Sequence, residues 1–241
     1  MMCSGRVDPA FIIRAFSNGM DGVFVGGCKL NECNYSTHGN FHALNITLMV
    51  KRIMEYIGLN PNRLRIEFMS GAEAGVFADS VNSFVHQVRE IGPLGQSENI
   101  DQATLKSKLA DVSKLIPYIK RVHKDKLAVR LTNPADYADF ITVADIDKIF
   151  NEAVAYYIDP EKCQACMICA RRCPENAITG GKNIIHVIDQ EKCVRCDTCF
   201  EVCPQRFAAV RRISGEPIPS PIAEDKRTLV SRVKEKEAQP S

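Results

Sequence analysis

The chain has 241 residues, of which 45% are hydrophobic and 25% charged, and its formal net charge is +2. This composition indicates a globular protein of one large or two modest domains. We find no basic run that would indicate nucleic-acid binding, no apolar run of the roughly 18 residues that a membrane span needs, and no secretory signal. The eleven cysteines therefore predict a reducing, cytoplasmic setting in which thiolates bind metals.

The first 95 residues alternate between helical and extended patterns. The predicted elements are a helix from Asp8 to Gly19, a strand over 22–26, a helix over 42–57, a strand over 64–69 and a helix over 73–91. Strand–helix–strand order predicts right-handed crossovers and a parallel sheet. We therefore assign residues 1–95 to an α/β domain.

Residues 96–157 are predicted to form a helical connector. One face of a long helix over 101–123 carries Leu105, Leu109, Val112, Leu115 and Ile116. Pro117 is expected to kink or interrupt this helix, because proline donates no backbone hydrogen bond. A further short helix is predicted over 145–157, with Thr142 as its cap.

Two cysteine runs of identical spacing follow, within an internal duplication over residues 158–212. Each run reads C-x2-C-x2-C-x3-C-P, which ligates iron–sulfur cubanes in two-cluster ferredoxins, and the fourth cysteine of each run binds the other cluster. The spacing therefore predicts two [4Fe-4S] clusters. We call the predicted ligands of one cluster the first thiol set (Cys163, Cys166, Cys169 and Cys203) and those of the other the second thiol set (Cys193, Cys196, Cys199 and Cys173).

Two other interpretations of these runs are weaker. Zinc ribbons use two C-x2-C pairs for each tetrahedral ion, not a triplet with a separate Cys-Pro. Disulfides need an oxidising compartment, which nothing in the sequence indicates. We therefore predict a small α+β ferredoxin domain with two similar halves, each a strand, a cluster loop and a short helix, and with a turn at Gly180-Gly181.

The last segment, residues 213–241, carries four prolines and equal numbers of acidic and basic residues. Such a composition predicts an extended tail. The tail is either disordered or lies along a partner subunit.

Three cysteines lie outside the two runs, and we call Cys3, Cys28 and Cys33 the N-terminal cysteine group. Cys28 follows the predicted strand over 22–26, at the edge of the sheet where loops converge. Three thiols on such loops can share one metal site. The alternative is that they are buried small apolar side chains, as free cysteines often are.

The segments around these cysteines resemble a known family, the delta subunit of methyl-viologen-reducing hydrogenase, over about residues 1–95. The similar segments are Cys3-Ser-Gly-Arg-Val-Asp-Pro9, Asp21-Gly-Val-Phe-Val-Gly-Gly-Cys28 and Cys33-x-Tyr35-x3-Gly39-Asn40. The resemblance implies a flavodoxin-like domain with a [2Fe-2S] cluster that docks on the flavin-containing A-type subunit of heterodisulfide reductase or a relative. It also implies that the chain belongs to an anaerobic complex with a partner of the hydrogenase, formate dehydrogenase or benzoyl-CoA reductase type. Several complexes of this kind bifurcate electrons.

The chain departs from this family at its start. Family members have a strand, a helix and a further cysteine before the segment that begins at Cys3. A [2Fe-2S] cluster needs four ligands, and the N-terminal cysteine group supplies three. The hypotheses are that the start was assigned too far downstream, that His38 or a partner residue is the fourth ligand, or that this half holds no cluster.

Together these patterns predict a non-catalytic iron–sulfur subunit of a hetero-oligomeric redox complex. It would relay single electrons between a further redox subunit and a flavin-containing heterodisulfide reductase A-like subunit. No nucleophile–base pair, phosphate loop or dinucleotide fingerprint indicates substrate chemistry. A free-standing ferredoxin-like carrier, a redox sensor and, more weakly, an enzyme acting at the N-terminal site remain alternatives.

Overall fold

The computed structural model describes residues 3–35, 39–151, 154–214 and 216–229, with the side chain of Val143 left out. The chain divides into two compact units, Met1–Ile149 and Phe150–Ser241. The elements that begin in the first unit are α1 (Pro9–Ser17), β1 (Val23–Gly27), α2 (Asn40–Ile57), β2 (Leu64–Phe68), α3 (Ala74–Ile91), α4 (Gln102–Val122), α5 (Lys124–Leu127) and α6 (Val143–Asn151).

The first unit is built on a parallel strand pair. β1 and β2 pair in register from Val23 opposite Leu64 to Gly27 opposite Phe68, which confirms the predicted parallel sheet. Helix α2 packs against β2 and α1 and buries most of its apolar side chains. Each large aliphatic side chain contributes about 1.5–3 kcal/mol when fully buried, so α2 contributes substantially to the stability of this unit.

Most of the residues predicted as a connector, up to Ile149, belong to the first unit. Helix α4 packs against α1, and its predicted apolar face is buried. Asp101 caps α4 by accepting hydrogen bonds from the N–H groups of Ala103 and Thr104, at 3.0 and 2.9 Å. The predicted interruption at Pro117 is wrong, since α4 continues through it. One lost backbone hydrogen bond is offset by the burial of apolar neighbours on both sides of the proline.

A buried ion pair joins β2 to the chain that follows α3. Arg63 is fully buried, and its Nε donates to Glu98 Oε1 at 2.6 Å. Its two terminal nitrogens donate to the carbonyl oxygens of Asp21, Gly92 and Pro93, and to Ser97 Oγ and Glu98 Oε2. Burial acts to raise the pKa of Glu98, but hydrogen bonds from Arg63, the Asn60 N–H and Ser97 outweigh it and lower that pKa to about 2.

Helix α3 covers the sheet with less burial than α2. Its buried side chain is Phe84, whose ring centroid lies 5.7 Å from that of Phe24. Val76, Phe77 and Val85 on the same helix are exposed. Periodicity thus predicts the helix correctly but overstates how much of its apolar face is covered.

The second unit contains β3 (Ala155–Ile158), α7 (Ile168–Arg172), β4 (Ile178–Gly181), β5 (Ile184–Ile188), α8 (Thr198–Glu201) and β6 (Val210–Ile213). β3 pairs antiparallel with β6, and β4 pairs antiparallel with β5. The first strand of each repeat therefore pairs with the last strand of the other repeat. With the parallel sheet of the first unit, this confirms the predicted α/β domain followed by a small α+β ferredoxin-like domain.

Two local predictions in this region are wrong. The helix predicted to reach residue 157 ends at Asn151, and Tyr156 and Tyr157 lie in β3. The turn predicted at Gly180-Gly181 falls two residues later, at Lys182 and Asn183, where Asn183 has φ +62°. Asparagine adopts this left-handed conformation more easily than most residues, so it takes the role assigned to glycine.

In the described part of the predicted tail, Ile213 ends β6, and residues 227–229 lie along β5 of their own unit. Ile185 N–H donates to Arg227 O at 2.7 Å, and Leu229 N–H donates to Asn183 O at 3.0 Å. Ile222 and Leu229 pack against the core of the second unit. Residues 230–241 lie outside the described residues.

Candidate metal centres

The two cysteine runs fold into loops with the same backbone conformation. Ala165 and Met167 have φ of 51° and 64°, and the residues 30 positions later, Arg195 and Asp197, have φ of 56° and 72°. Left-handed residues cost about 1–2 kcal/mol each outside glycine. They turn successive N–H groups toward one side of the loop, which creates a concavity that favours an anionic group.

The first thiol set is brought together by the fold. Burial, together with the nearby thiols of Cys163, Cys166 and Cys203, raises the pKa of Cys169 to about 11. Three of these cysteines come from the first run and one from the second. Cys169 thus lies near cysteines of both runs, and the ligand assignment itself stays a prediction.

The second thiol set has the complementary membership. Burial raises the pKa of Cys199, and the neighbouring thiols that add to this shift include Cys193, Cys196 and Cys173. Burial also raises the pKa of Cys193, with Cys196 and Cys173 as its thiol neighbours. Cys169 contributes to the shift at Cys199 as well, so the two sets adjoin each other.

The chemistry of both sets suits a cubane. Each offers four sulfurs, of which those of Cys163, Cys169 and Cys199 belong to the hydrophobic core, while Cys166 is exposed. The Ala177 N–H donates to Cys173 Sγ at 3.3 Å, as backbone donors do around cluster sulfurs. Within the described ranges, no group of three or more His, Cys, Asp or Glu side chains is arranged to hold a metal ion.

Sequence reasoning missed a polar anchor beside the second thiol set. The Asp197 carboxylate is 1% exposed and accepts hydrogen bonds from Nε and Nη2 of Arg212, the former at 3.2 Å. The Arg212 guanidinium also lies 4.1 Å from the ring centroid of Phe200. These contacts tie the second cluster loop to β6. The corresponding residue of the first loop is Met167, so the two loops are anchored differently.

The N-terminal cysteine group lies around a cavity of about 710 Å³ at the carboxyl end of β1. Cys3 precedes a 3-10 turn (Ser4–Arg6), and its Sγ accepts a hydrogen bond from the Gly5 N–H at 3.4 Å. Cys28 follows β1 directly and is exposed, while Cys33 is half-buried. The fold thus brings these three thiols to one place, as their positions on converging loops predict.

The thiols of this group affect one another's pKa. Burial raises the pKa of Cys28, and a hydrogen bond with Cys33 raises it further. Burial also acts to raise the pKa of Cys33, but the Tyr35 and Asn40 backbone N–H groups and the thiols of Cys28 and Cys3 outweigh it and lower that pKa. Cys33 therefore ionises more readily than Cys28.

Two residues hold the loops of this cavity in place. Asn40 is buried, and its Nδ2 donates to the carbonyl oxygens of Cys28 and Lys29 at 2.8 and 2.5 Å. Gly39 packs so closely that an added Cβ would lie 2.3 Å from Cys33 Sγ. At the side of the cavity, Lys29 pairs with Glu73 at 2.6 Å. His38, the hypothetical fourth ligand, lies outside the described residues.

Comparison with known families agrees with the two units. Residues 156–179 and 186–207 match the 4Fe-4S binding domain, so the C-terminal unit carries two 4Fe-4S motifs and the chain is an iron–sulfur protein. Residues 1–92 match the family described as methyl-viologen-reducing hydrogenase, delta subunit. The chain belongs to this family, with the ferredoxin domain as an addition.

Individual relatives show where the first domain occurs. The A subunit of the ferredoxin/F420H2-dependent CoB-CoM heterodisulfide reductase from Methanosarcina acetivorans is 46% identical over 94 residues, which cover 39% of this chain and 12% of that protein. The iron-sulfur D subunit of the F420-non-reducing hydrogenase from Archaeoglobus profundus is 43% identical over 91 residues, covering 38% and 66% of the two chains. The iron-sulfur D subunit of the vhu F420-non-reducing hydrogenase from Methanococcus maripaludis is 42% identical over 91 residues, covering 38% and 67%.

No helix among the described residues has the length and apolar character needed to cross a membrane.

Proposed function

We propose that this chain is the electron-transfer subunit of a cytoplasmic, hetero-oligomeric redox complex. It relays single electrons between a hydrogenase, formate dehydrogenase or benzoyl-CoA reductase type partner and a flavin-containing heterodisulfide reductase A-like subunit. We place it in an anaerobic complex of the kind in which electrons are bifurcated. The observation that supports this proposal is that thiols of the two 4Fe-4S motifs lie near each other, Cys203 near Cys169 and Cys173 near Cys199.

In this proposal each thiol set holds one [4Fe-4S] cluster. Such clusters supply one-electron chemistry at potentials that hydrogen bonds, burial and charge adjust. The cysteines deprotonate on binding, because metal coordination requires the thiolate. The left-handed loop residues direct backbone N–H groups at the bound anion, and Ile158, Ile178 and Val210 exclude water around it.

The relatives support the choice of partners. A domain similar to residues 1–92 forms part of the A subunit of a heterodisulfide reductase in one relative and most of the D subunit of a hydrogenase in others. Such a domain occurs both inside a heterodisulfide reductase A subunit and as a separate hydrogenase subunit. It is therefore suited to connect an enzyme of the first type with one of the second. The added 4Fe-4S motifs extend the electron path of such a junction toward a further subunit.

We further propose that the N-terminal cysteine group holds a [2Fe-2S] cluster. Its three thiols interact with one another around a cavity open to solvent. Cluster ligation needs a fourth donor. We place this donor outside the described residues, on this chain or on a partner subunit.

Anaerobic purification with iron and sulfide analysis tests both proposals. About eight irons per chain indicate two cubanes, and about ten indicate an additional [2Fe-2S] cluster. EPR of the reduced protein should show two interacting [4Fe-4S] signals. If the purified protein is colourless, or contains zinc in place of iron, the proposed function is wrong. Size-exclusion chromatography of native extract tests the partners, because a free carrier elutes alone.

A further inference from the structure

His186 on β5 is a buried polar side chain that the assignment of cysteine ligands leaves unexplained. It is 1% exposed. Its Nδ1 lies 3.8 Å from Cys163 Sγ, within the range of a hydrogen bond to sulfur. Its Nε2 is buried and has no hydrogen-bond partner among the described residues. Burying an imidazole in the core of a small unit costs free energy unless its ring nitrogens form hydrogen bonds.

These surroundings decide which nitrogen carries the proton of the neutral ring. A proton on Nε2 would leave a buried donor without an acceptor, and the bare Nδ1 would then face a cluster-bound sulfur that has no proton to donate. A proton on Nδ1 points at Cys163 Sγ instead. The hydrogen bond made by one ring nitrogen fixes the tautomer. His186 is thus oriented as an N–H donor to a sulfur of the first thiol set.

Gly180 on the neighbouring strand β4 fixes the position of the ring. A Cβ added at Gly180 would lie 2.6 Å from His186 Cδ2 and 2.8 Å from its Cγ. Real Cβ atoms do not approach other atoms so closely, so the imidazole lies flat against the bare backbone of Gly180. Any larger residue at position 180 would displace the ring from its place beside Cys163.

The second half of the domain has a different residue at the equivalent position. An offset of 30 residues relates Cys163 to Cys193 and likewise relates Tyr156 to His186. Tyr156 lines a small cavity with the cysteines of the second thiol set, and its hydroxyl interacts with Arg212. The repeats therefore place an imidazole N–H beside the first set and a phenol ring beside the second.

We propose that His186 Nδ1–H donates a hydrogen bond to the sulfur of Cys163 and raises the reduction potential of the cluster held by the first thiol set. The inference rests on the proposed function, because it assumes that this set binds a [4Fe-4S] cluster. A donor to a ligand sulfur stabilises the extra negative charge of the reduced state. His186 is thus a tuning residue, and it makes the two cubanes of one domain unequal in potential.

The test compares three forms of the full-length, anaerobically prepared protein by EPR-monitored redox titration. His186→Leu removes the donor at similar volume, and His186→Asn keeps an N–H near the position of Nδ1. We expect His186→Leu to shift one cluster to more negative potential and leave the other unchanged, with His186→Asn recovering part of the shift. Unchanged potentials, or equal shifts of both clusters, would overturn the inference.

Two further measurements keep the test decisive if His186→Leu fails to load its cluster. Gly180→Ala displaces the ring without changing its chemistry and should shift the same cluster in the same direction. Pulsed EPR of wild-type protein labelled with 15N in its histidine side chains should show nitrogen coupling to one reduced cluster. The absence of this coupling overturns the inference, whereas the absence of either cubane signal in wild-type protein overturns the proposed function itself.

Discussion

The two cysteine-bearing regions of this protein reach their arrangements by different routes. In the second unit, each loop is set by residues a few positions apart, and both loops repeat the same left-handed conformations. In the first unit, residues 3, 28 and 33 meet because a parallel strand pair and α2 bring their loops together. The difference shows that short spacing places three thiols of each set in one loop, whereas the fourth thiol of each set and the whole N-terminal cysteine group depend on the packing of distant segments.

The regions also differ in what stabilises them. The first unit has its own large apolar core and a fully buried arginine. The second unit has strands of four or five residues, and three cysteines belong to its core. Because a unit this small has cysteines in its core, we expect its stability to depend on what those cysteines bind.

Removal of iron should therefore affect the two units unequally, and this is the largest effect we expect. Anaerobic treatment with a chelator should abolish hydrogen-exchange protection in β3–β6 while α2 and α4 keep theirs, since metal binding and folding are coupled in the small unit. Hydrogen-exchange mass spectrometry of the full chain measures both units in one sample. Unchanged protection of the short strands would contradict this view of the second unit.

Exchange of the fourth ligands should show which loop each one serves. In Cys203→Ser, the cluster of the first thiol set should be lost, so that about four of the eight cubane irons remain. The thiols of Cys163, Cys166 and Cys169 should then react with an alkylating reagent, as detected by mass spectrometry.

Cys173→Ser is the matched control and should expose Cys193, Cys196 and Cys199 instead. If Cys203→Ser exposed the cysteines of its own run, the interlaced assignment would be wrong.

Loss of the buried arginine should weaken the first unit without touching any cysteine. Arg63→Met leaves the Glu98 carboxylate buried without its partner, which should lower the free energy of unfolding by about 3–5 kcal/mol. Denaturant unfolding of the full chain, followed by hydrogen exchange in α2, measures this loss. The double variant Arg63→Met/Glu98→Leu should recover much of it, and a single variant as stable as wild type would show that the pair does not hold this unit together.

A methyl group at Gly39 should disturb the N-terminal cysteine group alone. In Gly39→Ala the new Cβ would lie 2.3 Å from Cys33 Sγ and 2.4 Å from Tyr35 O, so this loop must move. We expect the iron content to fall by about two per chain while both cubane EPR signals persist. Gly71→Ala, where nothing lies within 4 Å of the added Cβ, should keep all the iron. Equal iron in both variants would argue against a cluster in this cavity.

The pH dependence of stability should carry a smaller signature of the same ion pair. The pKa of Glu98 is about 2 in the folded chain and 4.5 ordinarily. Its contribution is therefore complete above about pH 4.5 and is lost as the pH falls toward 2. Glu98→Gln should flatten the decline in hydrogen-exchange protection around residues 92–98 in this window. If protection in Glu98→Gln declines as steeply as in wild type, the pH dependence comes from other carboxyl groups.

The sequence predicts the elements well where patterns are local. Asp8 and Asp101 cap the predicted helices, and the cysteine spacing indicates which thiols become neighbours. Periodicity does not reveal how much of α3 is covered, because Val76 and Phe77 remain exposed on an apolar stripe. An apolar stripe shows which side chains of a helix can be buried, but their actual burial depends on the elements that pack against that stripe.

The buried polar groups were the hardest features to predict. A lone arginine after Pro61 is usually solvated, and nothing in the local sequence indicates that Arg63 is fully buried. The unusual position of His186 is visible in the sequence repeats, because aligning Ile158 with Ile188 also aligns Tyr156 with His186. Comparing the residues that flank the two motifs would have identified this asymmetry.

The central claim is that each cubane takes three cysteines from one run and one from the other. A crystal structure of the anaerobically prepared protein, with anomalous data at the iron edge, tests it directly. We expect two iron clusters in the second unit, with Cys203 bound to the cluster of Cys163, Cys166 and Cys169. Anomalous signal from zinc, or two clusters each ligated by the four cysteines of a single run, would contradict this account.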